Sequence, residues 1–132
     1  EFMFACPTGH PLADATTLCV DQLRGEELLL LEDGHCLREH ALEACQLKNA
    51  QVSVPYQATT LNTIVQMVSN GIGITVLPRM AVEANLLQGT DVQVRPFDSE
   101  GISRVIGLMW RKKTPRRSQF RLLGDFLREA ST

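Results

Sequence analysis

The sequence predicts an α/β fold built on a largely parallel sheet, and three observations predict it. A strand, a tight turn and a helix follow one another over residues 27–49, and the same unit repeats over 51–71. Parallel neighbours need such helical crossovers. Four consecutive leucines at 28–31 then mark a strand covered on both faces. Finally, 132 residues with 44% hydrophobic and 21% charged side chains describe an ordinary globular chain large enough for a real core.

The elements follow in order. Residues 2–5 read as a short strand stopped at Pro7-Thr8-Gly9, and His10-Pro11-Leu12-Ala13 continues the turn. Residues 21–25 make a single helical turn ended by Gly25. The leucine strand breaks at Asp33-Gly34, after which Leu37, Ala41, Ala44 and Cys45 keep helical spacing to about Asn49. A short strand at 51–54 follows. Thr59 or Thr60 then caps a helix whose apolar face is Leu61, Ile64, Val65 and Val68, closed by Asn70-Gly71. Residues 72–77 form another buried strand stopped by Pro78, residues 80–87 a shorter helix ended by Gly89, and residues 92–95 a strand ended by Pro96. One more strand is expected at 104–110, then a basic turn, then a helix from Pro115 or Arg116 to about Glu129. A lone strand and helix expose a sheet edge and half their apolar surface, so Leu108, Trp110, Phe120 and Leu123 should find cover from another copy or an upstream segment. The opening Glu1-Phe2-Met3 reads as a scar ahead of an apolar segment without polar lead-in, as in a chain cut from something longer.

The formal charge is −2, yet residues 1–66 hold three basic against nine acidic side chains, and residues 67–132 hold ten against six. That polarity lacks the overall basic excess of a DNA-binding domain. No run approaches the roughly 20 apolar residues of a membrane span. Four cysteines without a secretory leader suggest a reducing, cytoplasmic compartment, where a thiol is more often chemical than structural.

Chemistry concentrates in Glu32-Asp33-Gly34-His35-Cys36-Leu37-Arg38. Cys36 stands at the mouth of a strand-to-helix turn, where free N–H groups and the positive helix end favour a thiolate. His35 and Arg38 are placed to stabilise it and to hydrogen-bond the departing oxygen of a peroxide. Cys45 lies nine residues on, roughly 13.5 Å along an intact helix and on its opposite face, whereas a disulfide needs Cα atoms within about 7 Å. Pairing the two therefore requires the helix to unwind. One reading has Cys36 oxidised to a sulfenic acid and captured by Cys45. The other, which spacing alone favours, makes Cys36 a capping-region thiol and Cys45 a core residue. A metal shared by Cys36 and His40 at i, i+4, with His35 or Glu43 nearby, falls short of the four ligands structural zinc takes. Cys6 and Cys19 read as buried small hydrophobes, and His10 as a turn residue. The basic run at 111–117 has no aromatic interleaving and reads as a solvated loop, while Gly71-Ile72-Gly73 runs helix to strand, the wrong order for a phosphate loop.

His10-Pro11-Leu12-Ala13, the helix at 60–69 and Gly71-Ile72-Gly73-Ile74-Thr75-Val76-Leu77-Pro78 resemble the effector-binding domain of LysR-type transcriptional regulators. The segment from Leu29 to Arg38, with Cys45 nine beyond Cys36, resembles the peroxide-sensing branch of that family. The resemblance covers about residues 4–129. It implies a periplasmic-binding-protein-like (type II) regulatory domain: residues 1–7 end a crossing strand, residues 8–95 form the second lobe, and residues 96–132 cross over and return a strand and helix to an incomplete first lobe. It implies that Cys36 is the peroxidatic cysteine and Cys45 the resolving one, that His35 and Arg38 support the peroxide site, and that a reversible Cys36–Cys45 disulfide rebuilds segment 33–50. No cofactor or metal is implied, and no enzyme activity. The implied partners are hydrogen peroxide, further copies of the chain as dimer or tetramer, cellular thiol reductants, and DNA and RNA polymerase through the full-length protein only. His40 stands where relatives often carry an uncharged amide. The rival readings are a thiol peroxidase and a small-molecule-binding LysR domain with incidental cysteines.

Overall fold

The computed structural model describes residues 1–46 and 53–130. Strand β1 (Phe2–Pro7) runs between β4 (Thr75–Pro78) and β5 (Val92–Pro96), antiparallel to both, with Phe4 opposite Val76 on one side and Arg95 on the other. Its alternation explains this central place: Phe2, Phe4 and Cys6 enter one hydrophobic cluster, and Ala5 enters another with Val65 and Leu77. Strand β2 (Leu30–Leu31) pairs in parallel with β3 (Gln57–Ala58), and a parallel bridge from Leu28 to Ile74 ties this pair to the start of β4. The strands therefore form an antiparallel three-stranded sheet and a parallel pair bridged to it, which corrects the expectation of one largely parallel sheet. Crossover helices fix the direction of consecutive strands, but a strand entering from outside those units takes whichever direction its edges offer.

The four leucines behave as a strand covered on both faces. Leu28 and Leu30 pack in the cluster that holds Phe4, Ala41, Leu42 and Cys45, whereas Leu29 and Leu31 pack with Ala58, Ile64 and Val68. All four are at most 7% exposed, and each such burial is worth roughly 1.5–3 kcal/mol. Gly73 makes the neighbouring strand possible: a Cβ there would sit 2.6 Å from the Glu27 carbonyl oxygen and 3.2 Å from Leu29 Cγ. Behind it, Thr75 Oγ1 donates to the Leu29 carbonyl at 2.7 Å, so the one buried hydroxyl of the strand is paired.

Helix α1 (Cys36–Ala44) lies on one face of β2, and α2 (Leu61–Ser69) covers the other. Thr60 caps α2, its hydroxyl accepting from the Thr63 N–H at 3.2 Å, and Gly71 at φ +75° closes it with Ile72 N–H donating to the Met67 carbonyl. Two helices are shorter than their apolar spacing suggested. The chain leaves α1 through Gln46 at φ +51°, and α3 (Arg79–Glu83) stops short of Asn85 at φ +63°, left-handed conformations that no α-helix continues through. The expected extension of α1 to Asn49 and the start of the strand at 51–54 lie outside the described residues, although Ser53 bridges Glu27. The turn at 21–25 is a 3₁₀ turn over Val20–Leu23.

Residues 104–110 form no strand, against expectation, because no described neighbour offers them an edge to pair with. They lie instead along α4 (Arg117–Ala130), where the Trp110 and Phe120 rings stack with centroids 5.7 Å apart. Much apolar surface stays open around them, with Val105 94% and Met109 98% exposed and Leu122, Phe126 and Leu127 also exposed. The basic run at 111–117 is exposed except at Thr114.

Candidate redox site

The β2–α1 turn is built by its backbone. Gly34 takes φ +90°, a conformation that side chains resist, and His35 N–H donates back to the Glu32 carbonyl at 3.3 Å. His35 is the exposed N-cap of α1, and its carbonyl accepts from Arg38 and Glu39, but its ring caps nothing. The first N–H groups of α1 thus lack a side-chain cap, and exposed Cys36 is the first helical residue beside them. A developing thiolate there meets the positive end of a helix.

Arg38 turns inward. At 5% exposed, it donates from Nη1 to the Leu31 carbonyl at 3.0 Å, and its Nε lies 3.0 Å from Asp33 Oδ1 in an ion pair not aligned as a hydrogen bond. The guanidinium therefore ties Leu31 and Asp33 to the first turn of the helix; the sequence placed it beside the exposed Cys36 thiol, but its described partners are these two, because the side chain turns to the buried face of α1. Cys45, 1% exposed, is the C-cap at the far end, and burial pushes its thiol up to about 11. All four cysteines are free thiols, so Cys36 and Cys45 stand unjoined at opposite ends of α1, about 13.5 Å apart by helical rise. The structure gathers His35, Cys36 and Arg38 at one turn and leaves Cys45 remote.

Cys6 is fully buried, as its sequence setting suggested, and burial raises its pKa. His10 is a paired turn residue: Nδ1 accepts from Leu12 N–H at 3.2 Å, and Nε2 lies 3.6 Å from Glu26. His40, one turn beyond Cys36, lines a cleft of about 430 Å³ with Glu43, Ser103 and Arg104. Its buried Nδ1 and the Arg104 Nε have no hydrogen-bond partner among the described residues. Among the described residues no group of three or more His, Cys, Asp or Glu could hold a metal.

Sequence reasoning missed Cys19. It is half-buried rather than a core residue, and it lines a cleft of about 400 Å³ that Cys45 lines too, together with Val20, Asp21, Arg24 and the 99–102 segment. Only the tertiary fold brings residues 26 positions apart to one wall, and no local pattern announces it.

The profile of the LysR substrate binding domain matches residues 1–132. The chain is 38% identical over 122 residues to the hydrogen peroxide-inducible genes activator of Haemophilus influenzae, covering 91% of this chain and 40% of that protein. It is equally, 38%, identical over 128 residues to the HTH-type transcriptional regulator EstR of Acinetobacter baylyi, covering 97% of this chain and 42% of the relative. The reduced regulatory domain of OxyR2 from Vibrio vulnificus superposes with a TM-score of 0.83 at 36% identity, covering 97% of this chain and 60% of that one. These relatives are transcription regulators, not enzymes, and the chain spans about two fifths of the length of the curated ones. No helix among the described residues is long and apolar enough to cross a membrane. With its strands and helices superposing on a solved regulatory domain and a profile match along its whole length, the chain belongs to the LysR substrate-binding domain family, and its fold is that of an OxyR-like regulatory domain.

Proposed function

We propose that this chain is the hydrogen-peroxide-sensing part of a LysR-type transcription regulator, switched by a reversible Cys36–Cys45 disulfide. The Cys36 thiolate attacks one peroxide oxygen, the O–O bond breaks, and hydroxide leaves to become water, leaving a sulfenic acid. The Cys45 thiol then attacks that sulfur and expels a second water. The observation that carries this reading is the placement of the two thiols: Cys36 exposed at the uncapped start of α1 and Cys45 buried at its end, so joining them must unwind the helix. The helix unwound is the bistable element, and segment 33–50 is rebuilt around the new bond. His35 assists beside Cys36, and Arg38 supports the site by holding the turn that presents it. Residues 8–95 act as one lobe, and residues 96–132 return to a second lobe whose packing covers the apolar face of α4 and 105–109. In the whole regulator the switch acts on a homo-oligomer that reaches DNA and RNA polymerase, and cellular thiol reductants restore the dithiol.

The experiment treats the full-length regulator with one equivalent of peroxide, alkylates the remaining thiols and digests. A peptide linked through Cys36 and Cys45 is expected, with loss of amide protection across 37–45. Free Cys45 beside oxidised Cys36 sinks the reading. The equal identity to EstR favours a second reading, an effector-binding domain with incidental cysteines. In that case Cys36→Ser leaves the promoter response to peroxide intact.

A further inference from the structure

The cleft between the 3₁₀ turn and the end of α1 holds two of the four cysteines. Cys19 precedes the turn, its backbone N–H donating to Gln22 Oε1 at 2.8 Å, and it is half-buried. Cys45 ends the helix. Both line the same cavity of about 400 Å³, with Val20 and Ala44 between them in sequence neighbourhood and Arg24 on the same wall. Val20, Ala44 and Cys45 also pack into one hydrophobic cluster, which holds the two segments together.

Cys45 is where the chain leaves α1, and Gln46 already has a left-handed φ of +51°. A bond from Cys45 to Cys19 would therefore fasten the end of an intact helix to the neighbouring turn. A bond from Cys45 to Cys36 has to unwind the nine residues of α1 instead. Two disulfides that share one sulfur and differ in how much structure they destroy are unequal in stability, and thiol–disulfide exchange connects them without any further oxidant.

We propose that Cys19 is a third redox cysteine, which takes Cys45 over from Cys36 by exchange and so returns it to the cleft that the two line when α1 is intact. The inference rests on the peroxide-sensing reading above. The Cys19 thiolate attacks Cys45 Sγ of the Cys36–Cys45 disulfide. The bond between Cys36 and Cys45 breaks, the Cys19–Cys45 bond forms, and Cys36 leaves as a thiolate. The proton that Cys19 gave to solvent is matched by the one Cys36 takes up, and no net oxidation occurs. Attack at this sulfur expels Cys36, which returns to the exposed start of α1. The exchange lets α1 re-form while the protein stays oxidised, and it frees Cys36 for a second peroxide.

Two measurements test this. In the full-length regulator, peroxide in slight excess followed by acid quenching and peptide mapping should show the Cys36–Cys45 link first and a Cys19–Cys45 link replacing it, with about two equivalents of peroxide consumed per chain. Cys19→Ala should stop at the Cys36–Cys45 link and consume about one. In Cys36→Ser, the dithiol oxidant diamide should join Cys19 and Cys45 within one chain while amide protection of 37–45 is kept. Cys19 that stays alkylatable in both experiments overturns the proposal, as does a Cys19 link formed only between chains. Loss of the Cys36–Cys45 link in Cys19→Ala as well, with protection of α1 unchanged, would instead sink the sensing reading, whereas the diamide result stands apart from it.

Discussion

Replacing Arg38 by Met keeps the buried stem and removes the charged fork, so it isolates what the guanidinium does. A hydrogen bond from a charged donor to a buried carbonyl, here Nη1 to the Leu31 oxygen, is worth about 1.5–3 kcal/mol. The ion pair to Asp33 adds little, because the Asp33 side chain is 80% exposed and such pairs contribute about 1 kcal/mol or less. At an unfolding entropy of roughly 2.1 cal/mol/K per residue, a chain of this length loses about 3–4 °C of melting temperature per kcal/mol. Arg38→Met should therefore lower Tm by roughly 5–11 °C, and Asp33→Asn by no more than about 4 °C. Thermal unfolding followed by circular dichroism reads both. The peroxide rate of Cys36 should fall along with order in the turn, so amide exchange at 33–37 ought to rise in Arg38→Met. Two results refute the reasoning: Asp33→Asn costing as much as Arg38→Met, or a slow Cys36 in an Arg38→Met chain whose stability and turn protection are unchanged.

Two further expectations follow from burial and close approach. Cys45 keeps its proton in the folded state up to about pH 11, whereas an unfolded thiol loses it near 9. Between those values the unfolded chain binds fewer protons, so stability falls as pH rises, by about 2–3 kcal/mol from this group, and is fully present below pH 9. Urea unfolding from pH 8 to 11 should show a shallower decline in Cys45→Ala than in the parent chain; equal slopes would contradict it. Gly73→Ala must push a methyl against the Glu27 carbonyl oxygen and should cost about 1–3 kcal/mol, whereas Gly107→Ala, with nothing within 4 Å of the new Cβ, should leave Tm nearly unchanged.

Features written in local chemistry were legible in the sequence. The leucine run declared a two-faced strand, Thr60 and Gly71 marked both ends of α2, and the Asp33-Gly34 turn with Cys36 just inside a helix was readable from capping rules alone. Features set by non-local pairing were not. Strand direction leaves no trace in alternation, so β1 between two antiparallel neighbours was invisible, and residues 104–110 carried a strand's composition without a partner to pair with. Helix ends at Gln46 and Asn85 were misjudged because ordinary side chains took left-handed conformations that only tertiary packing imposes. The site divided along the same line: that Cys36 and Arg38 share one turn follows from their spacing, but the inward reach of Arg38 to Leu31 and Asp33 and the cleft lined by both Cys19 and Cys45 are set by tertiary packing and left no local sign.

The leucine segment 28–31 works as a partition whose two sides have separate tenants. The helix that carries Cys36 leans on Leu28 and Leu30, and the helix on the far side leans on Leu29 and Leu31. None of the four leucines belongs to both clusters, so the partition itself passes nothing across. Leu37, directly after Cys36, touches both clusters. Its withdrawal is how chemistry at the neighbouring sulfur would be felt through the wall, and its size sets how loudly.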